Sequence, residues 1–278
     1  MKNKVTLLSF LFLSLFNLSA QKEIKYVKLF YQSTTIETPE LTLFIDNAVS
    51  TDVETKFKLK ITNKTSDFIL FKPEECKFIV EGKEFKPTEK MKVVEPNSSD
   101  FLTVNLKLPG MNKVKNYSFL AGGLYLVTTQ GKVVPAPEFK LPPSKNEIQF
   151  GGFTVAMDKL YKETDRTDVK FKCTYKGDKV AIIYPKRLGA KMPDGNEYAN
   201  AKGDGLLGKK GAILILPAQT ESFIATWQRF EGGRAMDMQL VDMFINWNDT
   251  YTESIPFLLK SEQFELKFDE QLSNEKGR

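Results

Sequence analysis

Two six-residue stretches in different halves of the chain alternate apolar and polar side chains with a period of two. Phe57, Leu59 and Ile61 alternate with Lys56, Lys58 and Lys60, and Phe171, Cys173 and Tyr175 with Lys170, Lys172 and Thr174. Successive side chains of a strand point to opposite faces, so this pattern makes one apolar and one solvated face. Runs of this kind recur at short intervals, separated by Gly, Pro, Asn and Asp, which is the spacing of an antiparallel sandwich or barrel. The expected fold class is all-β. No segment carries a convincing long amphipathic helix, and residues 234–244 have the best claim to a short helix or turn.

The two stretches head a longer series of matching blocks. Each is followed by a polar turn, residues 63–67 and 176–179, and then by an apolar run ending at Pro73 or Pro185. Glu81-Gly82 ahead of Phe85 matches Asp194-Gly195 ahead of Tyr198, and such pairs supply the positive φ of a tight hairpin. From Phe57 to Phe85 the spacing is 28, and from Phe171 to Tyr198 it is 27. Residues 96–104 match 217–226, and upstream 41–46 match 153–158. Downstream, 124–127 match 244–247, and 139–141 match 264–266. The sequence therefore reads as one domain of about 115 residues duplicated head to tail, a normal size for a self-sufficient domain and too long for a solenoid repeat. Pro135, Pro137, Pro142 and Pro143, with Ser144-Lys145-Asn146, mark a connector, because proline lacks a ladder donor and stiffens a linker. The expected division is residues 21–145 and 146–278, with a polar tail from about 270.

The order of these blocks, a strand ending in an Asn-Thr turn, an apolar run to proline, a Gly hairpin, then Glu95-Pro96-Asn97, resembles secreted bacterial immunoglobulin-like domains of unknown function. The resemblance covers about residues 41–107 and, more loosely, 153–227. It implies two tandem immunoglobulin-like antiparallel β-sandwiches and transfers no catalytic motif. The chain departs from that family in lacking a lipid-anchor cysteine, and residues 110–135 and 231–255 follow no pattern of it.

Residues 1–20 have the layout of a secretory signal peptide: Lys2 and Lys4, a fourteen-residue largely apolar run at 5–18, and Ser19-Ala20 before Gln21. That run is short for a bilayer crossing. The expectation is an exported chain, periplasmic or secreted, with no transmembrane segment in its mature part. Without residues 1–20, which carry two lysines and no acids, 38 basic and 35 acidic side chains remain, a net of +3. That balance argues against a dedicated nucleic-acid binder. The chain has no histidine, so the commonest general base and metal ligand is missing. Its two cysteines, Cys76 and Cys173, are too few for a disulfide framework or a zinc site. Both fall on apolar strand faces, as buried thiols do, and an interdomain bridge is the alternative.

Two places are candidates for ligand or partner contact. The first is the glycine-rich insertion of about eight residues that the second half carries, with Lys202, Leu206, Leu207, Lys209 and Lys210. It contains G-x-x-x-x-G-K, but Lys210 stands where a phosphate-binding loop needs Ser or Thr. The second is Trp247 with Tyr251, which together with Trp227 could form a platform that stacks on sugar rings or could pack in the core. The lysine stripes read as solvated strand faces that discourage edge pairing, with a polyanion surface as the sharper alternative. Asp237, Asp242, Asp249 and Glu253 lack calcium-loop spacing. The reading is of a non-catalytic extracytoplasmic binding or scaffolding protein, without cofactor or metal, whose partner is an envelope or extracellular protein or a glycan. A carbohydrate-binding accessory role is the alternative, and a carboxylate-pair hydrolase a further one.

Overall fold

The structure is a computed structural model and describes residues 25–193, 195–201, 211–228 and 238–278. It is all-β, built from antiparallel sheets that pack as sandwiches. Among the described residues, no helix is long and apolar enough to cross a membrane. The segment 1–20 and the inserted loop 202–210 lie outside the described residues.

In the first half, Leu41–Ser50, Glu54–Asn63 and Ser99–Lys107 pair in that order, with Leu29–Phe30 and Thr34–Glu37 both added along Leu41–Ser50. The alternation does what it predicts: Phe57, Leu59 and Ile61 are buried while Lys56, Lys58 and Lys60 are exposed. The facing sheet is bent. Phe68–Phe71 gives way to Lys77–Val80 across a 3-10 turn at Pro73–Glu75, and Asn116–Ala121 to Leu124–Val127 across Gly122-Gly123. The bend brings backbones together, and the Lys72 N–H donates to the Gly123 carbonyl at 2.8 Å. Gly123 has φ +65, and a Cβ there would lie 2.3 Å from the Lys72 carbonyl oxygen. Only glycine fits such a position. Phe57, Phe78 and Phe119 meet in the core with ring centroids 5.0–5.7 Å apart. The second half repeats the arrangement: Phe153–Lys162, Arg166–Tyr175 and Thr220–Gln228 pair in order, facing Val180–Ile183, Gly189–Lys191, Met243–Asn246 and Tyr251–Ser254.

Each half is completed by strands from the far side of the connector. Glu262–Lys267 pairs with Asn116–Ala121, placing Ser118 opposite Glu265 and Phe119 opposite Phe264. Phe257–Leu258 pairs with Leu124–Val127. In the other half, Phe139–Leu141 pairs with Met243–Asn246, with Lys140 opposite Phe244, and Lys132–Val133 pairs with Tyr251–Ser254. The chain thus leaves the first half after Val127, lends residues 132–141 to the second half, and returns at 255 to finish the first. Phe264 and Leu266 lie in the first core; Phe139 and Leu141 lie in the second.

This pairing corrects several expectations. A cut at residue 145 does not separate the sheets, because the strands on either side of it cross over. The strand in the place of Leu124–Val127 is Tyr251–Ser254, which lies beside Val180–Ile183 as Leu124–Val127 lies beside Phe68–Phe71. Residues 244–247 belong instead to the position of Asn116–Ala121. The expected polar tail is the helix Glu270–Lys276, capped by Asp269, whose carboxylate accepts from the Leu272 N–H at 2.9 Å. Its Ser273 Oγ accepts from the Phe30 N–H, and the Gly277 carbonyl accepts from the Val27 and Lys28 N–H groups, tying the C-terminal end to the first described strand. Of residues 234–244, those up to 237 lie outside the described residues; 238–240 form a turn and 243–244 begin a strand.

A third apolar cluster joins the halves. Phe68, Leu70 and Val127 pack with Val180, Ile182, Tyr184, Leu214 and Leu216. This accounts for the two uninterrupted apolar runs. In Phe68–Phe71, Ile69 and Phe71 enter the first core while Phe68 and Leu70 enter the shared cluster. In Val180–Ile183, Ala181 and Ile183 enter the second core while Val180 and Ile182 enter the shared one. A strand covered on both faces is apolar throughout. Burying a Val, Leu, Ile or Phe side chain contributes about 1.5–3 kcal/mol, so the shared cluster holds the halves firmly. The Thr129 N–H and hydroxyl both donate to Asp67, and the Tyr184 hydroxyl donates to the Thr129 carbonyl, pinning the outgoing strand at the joint.

Candidate functional site

The returning segment lies along one side of a cleft of about 510 Å³. The other side is the turn between Thr34–Glu37 and Leu41–Ser50. Thr38 shapes that turn: its N–H donates to the Leu41 carbonyl at 2.9 Å, and its hydroxyl accepts from the Leu41 N–H at 3.2 Å. Pro39 follows with its φ already fixed. Lys64 braces the turn from outside, donating to the Thr38 carbonyl at 3.1 Å and lying 3.6 Å from Glu37. Pro39, Leu41 and Leu124 give the cleft an apolar lining, with Glu37, Glu40, Glu262 and Lys260 as its charged members. Lys64 matches Glu37 and Lys260 lies 4.0 Å from Glu262, which leaves Glu40 as the acid without a lysine beside it.

Phe257 and Leu258 are 68% and 52% exposed, and the preceding Ile255 is 74% exposed. The Leu259 N–H donates to the Leu124 carbonyl at 2.8 Å, and Leu258 stands opposite Tyr125. An antiparallel ladder bonds through alternate residues. Leu258 therefore turns its N–H and carbonyl away from Leu124–Val127, onto the outer edge of the sheet. The corresponding edge of the second half is Lys132–Val133, where Lys132 stands in the place of Phe257 and the exposed Val133 in that of Leu258.

The residues singled out from the sequence fare differently. Lys202, Leu206, Leu207, Lys209 and Lys210 lie outside the described residues. Trp247 and Tyr251 are core residues, 2% and 0% exposed, so they form no sugar platform. Tyr251 packs on Phe150 and Phe153 at 5.0 and 5.1 Å, and the Trp247 indole donates to the Pro137 carbonyl at 2.7 Å. The aromatic mass that suggested stacking fills the second core and meets the exchanged strand there. Three of the five stripe lysines stand in ion pairs and a fourth lies over an aromatic ring. Lys56 pairs with Glu54, Lys58 sits over the Phe101 ring at 3.7 Å, and Lys170 and Lys172 both reach Asp158. Their hydrogen bonds hold the Asp158 carboxyl below the usual carboxylate range.

Asp242 pairs with Lys140 at 2.7 Å, and Glu253 takes Lys179 and the Tyr175 hydroxyl. Asp249 is exposed at a turn, and Asp237 lies outside the described residues. Among the described residues, no group of three or more Asp, Glu, His or Cys is placed to hold a metal ion. Cys76 and Cys173 are free, buried and in separate cores. Burial pushes both thiols up to about 12.

Sequence reading missed the cleft. A signal was present in the apolar run Ile255-Pro256-Phe257-Leu258-Leu259, which ends in no core block of its own half. No family model and no curated protein matches this sequence. Among solved structures, the chain is similar to red sea bream transglutaminase over 83% of its length, at 6% identity and a TM-score of 0.20. It spans about a third of that chain, 31%. A variant oxalate decarboxylase of Bacillus subtilis matches over 88% of this chain and 80% of its own, at 9% identity and a TM-score of 0.17. Likenesses at this level carry neither a fold nor an activity.

Proposed function

We propose that the chain is an exported, non-catalytic binding or scaffolding protein of the cell envelope, made of two immunoglobulin-like copies. The layout of residues 1–20 supports export. The matched strand order of the two halves supports duplication, and the exchanged strands and shared apolar cluster suit a rigid spacer. The observation that carries the binding role is the exposed edge at Phe257–Leu258 beside an apolar cleft, at a place where the other half presents Lys132–Val133. Exposed contiguous apolar surface beside a polar rim is characteristic of interaction sites.

Photo-cross-linking in the native envelope tests this. A benzophenone amino acid at position 257 should give one dominant adduct with another envelope component, and the same group at position 133 should give none. Equal labelling at both positions, or none at 257, removes the site from the account.

A further inference from the structure

We infer that the outer face of the first half's three long strands binds an acidic saccharide chain. This site shares no residue with the edge at Phe257–Leu258. Alternate side chains of a strand share a face, and the pairing register sets them in rows across Leu41–Ser50, Glu54–Asn63 and Ser99–Lys107. Phe44, Lys60 and Phe101 form one row, with Thr42, Thr62 and Ser99 on one side of it and Asp46, Lys58 and Thr103 on the other. In the second half the equivalent of the central row is Thr154, Thr174 and Thr220, where the Thr174 and Thr220 hydroxyls bond to each other at 2.8 Å. Threonine is an ordinary occupant of a solvated strand face. The first half thus carries two aromatic rings and a cation where its counterpart carries three hydroxyls, so the scaffold itself does not require them. Phe101 is 54% exposed and Phe44 is half-buried. Lys58 rests over the Phe101 ring at 3.7 Å, and among the described residues no hydrogen bond or ion pair engages Lys60. On the second half's face, by contrast, Lys170 and Lys172 are both tied to Asp158.

Charge and shape select the occupant. Glu54 matches Lys56 and Glu37 matches Lys64, which leaves Lys58, Lys60 and Lys107 against Asp46, three cations to one anion. The Asp46 carboxylate accepts from the Ser33 hydroxyl at 2.9 Å and the Asn47 amide at 3.0 Å. The face therefore calls for an anionic ligand. Phe44 and Phe101 stand two strand spacings apart, about 10 Å, on an open sheet face, which suits an extended chain better than a small molecule enclosed in a pocket. A sugar ring lays its apolar side on an aromatic ring and turns hydroxyls outward at its edge. Thr62 and Ser99, bonded to each other at 2.8 Å in the next row, are placed to meet those hydroxyls. The contact of Lys58 with Phe101 is exposed and therefore weak, so an arriving carboxylate or phosphate can draw Lys58 off the ring and open its face for stacking. A nucleic acid also offers rings and anions, but its binders cluster many basic groups, and the excess here is two.

The test titrates the mature full-length chain calorimetrically with hyaluronan hexasaccharide, with teichoic acid and with neutral cellohexaose. At least one acidic glycan should bind at least about tenfold more tightly than cellohexaose, a difference of about 1.4 kcal/mol; the hyaluronan and teichoic acid arms tell carboxylate from phosphate. F44T and F101T install the second half's residues and should each weaken that binding at least about tenfold while keeping the far-ultraviolet spectrum of the parent. K60T should weaken it and also flatten its dependence on salt, because screening acts on the charge that has been removed. Binding of neither acidic glycan, equal binding of cellohexaose, or unchanged affinity in both F101T and K60T overturns the proposal. Tighter binding of a single-stranded DNA oligonucleotide than of either acidic glycan also overturns it and assigns the face to nucleic acid. The cross-link at position 257 stands or falls separately, since none of these variants touches that edge.

Discussion

Gly123 sits where two backbones touch, and its left-handed φ and its nearness to Lys72 make one prediction. G123A should cost about 1–3 kcal/mol, seen as a lower urea midpoint with an unchanged slope. The buried thiols make another. Cys76 and Cys173, with Tyr31 and Tyr175, are pushed up to about 12 in the fold. The folded state holds their protons more tightly than the unfolded chain, so the stability they contribute is complete below pH 9 and is lost as pH rises toward 12. Urea midpoints should be level from pH 7 to 8.5 and fall progressively by pH 10.5. A thiol reagent at pH 8 should label neither cysteine until the chain is unfolded. At this scale the sequence was partly legible. Cysteines on the faces of Phe78 and Phe171 read correctly as core, while Trp247 and Tyr251 left a choice that only their neighbours resolve.

Strands were legible because alternation is local: Phe57, Leu59 and Ile61 declare their face without reference to anything distant. Strand partners were not. Phe139, Lys140 and Leu141 show the same buried–exposed–buried order as Phe264, Glu265 and Leu266. Either triplet can face either partner, so the pattern cannot say which sandwich it completes. The uninterrupted run Phe68–Phe71 did carry a sign of contact on both faces, though not with what. The exchange makes Phe264 a first-half core residue despite its place near the end of the chain. F264A should cost about 3–5 kcal/mol in urea unfolding, whereas F257A, at an exposed position, should stay within about 0.5 kcal/mol.

Taken as a whole, the molecule is two sandwiches that cannot part without each surrendering strands to the other. Neither half holds all of its own core, and the cluster around Phe68, Leu70, Val180 and Ile182 adds a third contact. Calorimetry should therefore record one cooperative transition, with calorimetric and van't Hoff enthalpies in agreement; two separated transitions would mean that the halves are energetically independent. The exchange itself is best tested by engineered cysteine pairs. Ser118 and Glu265 face each other, hydrogen-bonded at 2.9 Å, whereas without exchange Ser118 would face Lys140. Directly opposed strand residues lie within disulfide reach. Under mild oxidation S118C/E265C should close a disulfide within one chain, detected by peptide mapping of the monomer, and S118C/K140C should remain reduced. Closure of the 118–140 pair in place of the 118–265 pair, or covalent dimers from the latter, would contradict exchange within a single chain.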